Sequence, residues 1–221
     1  MKYYILSYST KEEEIGTSDF PQCEQIAYKI LKEPNSVVNL NNENFPPFIP
    51  NLSLKLKEDA ILTDAISPSN ISAIGFIINN KIKNIFSEFN LLEHKYYNAT
   101  VMDSKNTQHN YFWLHFKENR ELFFKNIDYN KSHFHVTDLA FNKIEDIEIM
   151  SYNNYLENQK KLTFKYISAS KLYLKEELVK RNYDLFYIRY LFLKPLISER
   201  LVQLLKLNNV TGLNIEKQNI L

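Results

Sequence analysis

The chain has 221 residues, only three of them glycine, and its 27 Lys and Arg against 26 Asp and Glu leave a net charge of +1. About 7 % glycine is usual, so Gly16, Gly75 and Gly212 are too few and too dispersed to compose a phosphate cradle. One cysteine, Cys23, excludes a disulfide framework and a Cys-rich zinc site, and the balanced charge supplies no overall field favouring nucleic acid or a membrane surface.

Tyr3 to Tyr8 alternates with both faces apolar or aromatic, which predicts a strand inside a sheet rather than at its edge. Lys11-Glu12-Glu13-Glu14 reads as a solvated loop. Gln22 to Lys32 is predicted as a short helix ending before Pro34. Asn39 to Pro50 holds three prolines and four asparagines, so it must be irregular. Leu52, Leu54 and Leu56 alternate as a short strand, and Ser67-Pro68-Ser69 is a turn. Asn79 or Asn80 caps a helix whose apolar face is Ile78, Ile82, Ile85, Phe86 and Phe89. A strand follows from Lys95 to Val101. Gln108-His109-Asn110 reads as a turn into the apolar strand Tyr111 to Phe116.

Ile127 to Ser132 is a turn and Phe134 to Val136 a strand. Ile144 to Met150 fits neither period, and Tyr152 to Lys160 reads as helix or loop. Leu162 to Ile167 alternates as a strand, while Lys171 to Arg181 suits either class. Leu185 to Leu193 is predicted as a strand. Pro195 leads into a helix from Ser198 to Lys206 with Ser198 as N-cap, and Val210 to Ile215 closes the chain as a strand. Gly212 permits a tight or bulged backbone there.

Ile77 to Phe86 aligns without gaps to Leu196 to Leu205, an offset of 119 positions. Apolar residues coincide at the first two places and at 82/201, 85/204 and 86/205, a cap residue at 79/198 and a base at 81/200. Each copy reads as an extended pair, a cap, an amphipathic helix and an exit into a strand. This predicts an α+β fold of mixed and antiparallel sheets with few short helices and a duplicated strand-helix-strand unit. The halves are residues 1–110 and 111–221, packed as one compact domain. Gly75 and Gly212 fall beside the joints of the two units.

Leu62-Thr63-Asp64, Gly75-Phe76-Ile77-Ile78, Asp128-Tyr129-x-x-Ser132-x-Phe134, Asp184-Leu185-Phe186 and Ile197-Ser198-Glu199-Arg200-Leu201 followed by Val210-Thr211-Gly212-Leu213 occur in this order. By these motifs the chain resembles the immunity protein eleven family, antidotes of bacterial polymorphic and contact-delivered toxins. The first repeat copy departs from the pattern, with Asn79-Asn80-Lys81 in place of Ser-Glu-Arg and no Thr-Gly. The resemblance implies function by tight binding to a toxin, with no catalysis.

Other chemistries have weaker support in the residues. His133 and His135 share a strand face, and with Asp128 or Asp138 they would hold a metal only if a third ligand were specified, so no metal is expected. His115 beside Trp113 reads as a hydrogen-bonded, partly buried residue. Cys23 has no adjacent base and reads as a core thiol. Glu145, Asp146 and Glu148 read as a solvated acidic face.

Charge is uneven: residues 160–221 carry twelve bases and five acids, a net of +7. This basic third could complement an acidic toxin or contact nucleic acid. Aromatics reach 14 %, and exposed tyrosines suit an interface. Tyr152, Tyr155, Phe45 and Phe48 are the expected partner contacts. No cofactor and no membrane partner are expected. The N-terminus is too polar and too short in apolar residues for an export signal, so the cytoplasm is the expected compartment. The sequence reading is therefore a cytoplasmic immunity protein acting on a cognate toxin, with a nucleic-acid-binding or regulatory module as the alternative.

Overall fold

The computed structural model describes residues 2–25, 33–69, 71–189, 191–192 and 194–217. Its first half holds β1 (Tyr3–Tyr8), α1 (Glu12–Ile15), β2 (Cys23–Gln25), β3 (Ser53–Leu56), β4 (Ala65–Ile66), β5 (Gly75–Ile78), α2 (Asn80–Ser87), β6 (His94–Met102) and β7 (Gln108–Phe116). The second holds α3 (Arg120–Lys125), β8 (His133–Thr137), β9 (Lys143–Ile147), α4 (Tyr152–Lys161), β10 (Tyr166–Lys171), α5 (Glu176–Val179), β11 (Leu185–Phe186), β12 (Leu196–Ser198), α6 (Glu199–Leu207) and β13 (Leu213–Lys217). The fold is α+β, with sheets ordered β2-β3-β6-β7-β5-β4, β11-β12-β1-β13 and β10-β8-β9. Only the β3–β6 pair is parallel among the pairings of named strands.

The duplication extends further than the helix repeat. β4 pairs β5 with Ala65 opposite Ile78, and β11 pairs β12 with Leu185 opposite Ile197. β7 lies between β5 and β6 as β1 lies between β12 and β13. The registers match: Ile77 faces Trp113 as Leu196 faces Ile5, and Lys95 faces His115 as Asn214 faces Ser7. Both units are thus the same four-stranded antiparallel array with one capped helix. In the second unit the strand equivalent to β7 comes from the N-terminus, so a gapless comparison along the chain finds only the helix and its flanks.

Reciprocal aspartates tie the units together. Asp64 accepts from Asn79 Nδ2 at 2.7 Å and Lys81 Nζ at 2.9 Å in its own unit, and from Thr211 N–H at 2.9 Å in the other. Asp184 accepts from Ser198 Oγ at 2.6 Å and from Arg200 Nε and Nη2, both at 2.5 Å, in its own unit, and from Asn90 N–H at 3.0 Å in the other. Asn79 and Ser198 also accept from Ile82 and Leu201 N–H, capping α2 and α6. The exit of each helix is therefore fastened to the aspartate of its counterpart.

The two glycines at the joints answer different demands. Gly212 has φ +81°, and a Cβ there would lie 1.9 Å from Ala65 O. Gly75 lets β5 pass Trp113, where a Cβ would stand 2.4 Å from Nε1. Alternation along β5 and β7 sends Phe76, Ile78, Leu114 and Phe116 into a core shared by both units and by β8, β10 and α4. Ile77 and Trp113 point the other way, into a second core with Cys23, Leu54, Leu56 and Val101. Burial of both faces explains the near-continuous apolar run of β7.

Several boundaries differ from the sequence expectation. Cys23–Gln25 is a strand rather than the start of a helix, and 26–32 lie outside the described residues. The expected turn at 108–110 is part of β7, whose long pairing with β6 reaches Gln108. The 110/111 division therefore cuts through β7. The run from Leu185 yields only a two-residue strand; Phe192 N–H then turns back to Ile188 O at 3.1 Å. The final strand starts at Leu213, because Thr211 N–H is taken by Asp64 and Gly212 N–H by Glu14. Glu14 is not simply solvated: its carboxylate accepts from Ser9 Oγ and from Gly212 N–H, each at 2.6 Å.

Candidate partner-binding surface

The third sheet stands apart from the duplicated units in its construction. β8 is central, with β10 on one side and β9 on the other. Phe134 and Val136 of β8 and Ile167 and Ala169 of β10 are buried, which fixes this face against the core. β9 runs past that support. Of its five residues, Lys143 to Asp146 are exposed and Ile147 is half-buried, so its side chains leave no clear period to read.

Apolar residues cluster at the hairpin end of this sheet. Leu139 is 57 % exposed, Ile144 46 % and Phe164 77 %. Pairing of Thr137 with both Tyr166 and Lys143 brings the starts of β9 and β10 to the same end. Phe141 stacks on Tyr166 with centroids 5.6 Å apart. Phe141 and Phe164 have φ of +63° and +54°. A bulky side chain in that left-handed region is strained, and at Phe164 burial returns little in compensation. This strain also explains why Leu162 to Phe164 does not extend β10, whose first residue is Tyr166.

Beyond the other end of β9 lie two hollows of about 420 and 430 Å³. They share Tyr129, Asn130 and Met150, the last 65 % exposed. The first is lined also by His133, Asp146 and Glu148, the second by Asp128, Tyr152 and Lys175. Lys143 holds the Asp146 carboxyl below the ordinary carboxylate value, bonding it at 2.7 Å.

Among the four expected contact residues, only Tyr152 lines this surface. It is half-buried, its ring 5.4 Å from Phe124. Tyr155 must be corrected: it is fully buried, 4.5 Å from Phe124, and belongs to the core. One turn of helix separates the pair, and α4 turns Tyr155 inward. Phe45 and Phe48 are half-buried elsewhere. Phe45 meets the His115 ring edge-on at 5.5 Å beneath the Lys95 ammonium, and Phe48 packs on the second core. Their loop is pinned by Asn42, which donates to Ile74 O and Phe116 O and accepts from Ile74 N–H. Leu139, Ile144, Met150 and Phe164 were missed. Their signal was faint: isolated apolar residues at turns and beside acids.

The remaining candidates fall into structural places. His135 faces Asp146 across the β8–β9 pair, but among the described residues no group of three or more His, Cys, Asp or Glu side chains is placed to hold a metal. His115 is buried, stacked on Trp113 at 4.3 Å, with Nε2 2.8 Å from Asn41 O. Burial pushes the Cys23 thiol up to about 12, leaving it protonated at neutral pH. No described helix is long and apolar enough to cross a membrane.

No known protein-family model matches the chain. No curated protein matches it either.

Proposed function

We propose that this is an immunity protein that binds one cognate bacterial toxin in the cytoplasm and neutralises it by protein–protein contact, without catalysing a reaction. The observation carrying the reading is the set of exposed apolar residues Leu139, Ile144 and Phe164 at one end of a sheet whose edge strand is mostly charged. Apolar residues rimmed by charge suit a partner surface. The motifs that resemble the immunity protein eleven family support it from another side. Asp64 and Asp184 bond across the joint to Thr211 and Asn90, Ser198 and Arg200 hold Asp184 from its own unit, and Gly212 passes Ala65 too closely for a side chain. Asp128, Tyr129, Ser132 and Phe134 of the same motif set lie on the third sheet and its hollows.

The basic excess of the last third is what supports the nucleic-acid alternative. Arg200 is taken by Asp184, Lys180 by Glu176 and Lys194 by Glu216, but those acids are already counted in the net of +7. Co-expression with the toxin encoded by the adjacent gene tests the favoured reading. The expected result is cell survival and co-purification of the two chains. Death of the cells with no complex in a pull-down would overturn it.

A further inference from the structure

β9 is paired on one side only. β8 takes that side from Phe134 opposite Ile147 to Thr137 opposite Lys143, and among the described residues no strand lies on the other. Alternate N–H and C=O groups along such an edge point outward and form a template for a further strand. Native edges are commonly blunted by lysine, proline, a bulge or a covering element. Here the edge strand has no proline, its lysine, Lys143, is held by Asp146 at 2.7 Å, and its one register shift falls at Ile144, so the edge from Glu145 to Ile147 is regular. From Asp138 to Met150 there are four acids and one base, a net charge of −3.

We propose that the free edge of β9 docks a β-strand of the toxin in which lysine or arginine residues accompany apolar ones. This rests on the immunity reading and names the surface and the chemistry of its partner. From Glu145 to Ile147 the pleat sends Glu145 and Ile147 to the face of Val136 and Phe134, and Asp146 to the face of His135. An added strand therefore meets an acid and an isoleucine on one face and an acid on the other, and complementary bases would fix its position. Leu139 and Phe164, at the hairpin end, extend the apolar contact. A second copy of this chain fits worse, because it sets a segment of net charge −3 against itself. Nucleic acid is repelled by the same charge.

Amide hydrogen exchange on the full chain, free and bound to the purified toxin from the adjacent gene, reads the edge directly. Outward-pointing amides within 143–147 should exchange at least about tenfold more slowly in the complex. The double substitution Glu145→Lys/Glu148→Lys should weaken Kd at least about tenfold at low salt, with the deficit shrinking as salt rises. Its thermal midpoint should match the parent, since both side chains are exposed. Unchanged exchange together with unchanged affinity would overturn the β9 assignment and leave the immunity reading standing. Failure of the parent chain to bind would overturn the immunity reading and this assignment with it. A concentration-dependent dimer altered by the double substitution would assign the edge to a second copy and overturn the toxin strand.

Discussion

Arg200 and Lys81 stand at equivalent places in the two units but carry different energetic weight. The Asp184 side chain is fully buried, and four donors satisfy it. Burial alone would raise its pKa; Arg200, Ser198 and Asn90 together hold it below the ordinary carboxylate value. Arg200→Ala leaves that buried charge without its strongest partner and should cost about 2–3 kcal/mol in urea unfolding. Asp64 is less enclosed, and Lys81 meets it through one atom where Arg200 meets Asp184 through two, so Lys81→Ala should cost about 1 kcal/mol or less. Equal losses would contradict this account of the joints. His115 gives a pH dependence of opposite origin. Burial holds its imidazole below the ordinary histidine value, outweighing the Asn41 carbonyl. The unfolded chain then binds the proton more tightly, so stability is full above about pH 6.5 and falls as pH drops toward the lower folded value. Burial and Lys143 lower His135 in the same direction. The urea midpoint should therefore fall between pH 7 and pH 5, and His115→Gln should flatten, without abolishing, that slope.

Elements with a cap and a helical period were legible in the sequence. Asn79 and Ser198 mark α2 and α6 because a side-chain oxygen at that position accepts an orphan N–H of the first turn. β9 was not legible, because a strand overhanging its core has no face that must be apolar. β2 was hidden because Cys23 and its neighbours are set by pairing with β3 and not by local preference. Tyr155 carried a readable signal in its helical spacing with Tyr152 and Leu156, both packed against the same core, but aromatic exposure was the wrong inference from it. The residues after α4 provide a test at this scale. Phe164 is exposed at φ +54°, a backbone region that glycine enters without strain. Phe164→Gly should leave unfolding stability within about 1 kcal/mol of the parent, or raise it, despite the loss of a large apolar side chain. A loss above about 2 kcal/mol in thermal unfolding would mean that the ring packs more than its exposure implies.

At the scale of the whole molecule, the two units differ chiefly in connectivity. β6 runs into β7 through the tight turn 103–107, where Asp103 N–H donates to Thr107 O at 3.0 Å. β13 and β1 make the equivalent antiparallel pair, with Lys217 opposite Tyr4, but no turn joins them. Strand order, register and helix position are otherwise the same, so the fold depends on the pairing of β1 with β12 and β13 and not on its place at the start of the chain. A circular permutant follows from this. Let the segment 218–221 continue through a short flexible linker into Lys2, and let new ends open within 103–107. The closing segment costs little, since loop entropy grows slowly with length, while the opened turn lies at a hairpin tip that tolerates new ends. The permutant should unfold in one cooperative transition with a midpoint within about 8 °C of the parent, the shift expected for a few kcal/mol in a chain of this size. If it expresses only as aggregate, or unfolds in two separated steps, the order in which β1 forms matters to folding and the two units are not interchangeable in the way their registers imply.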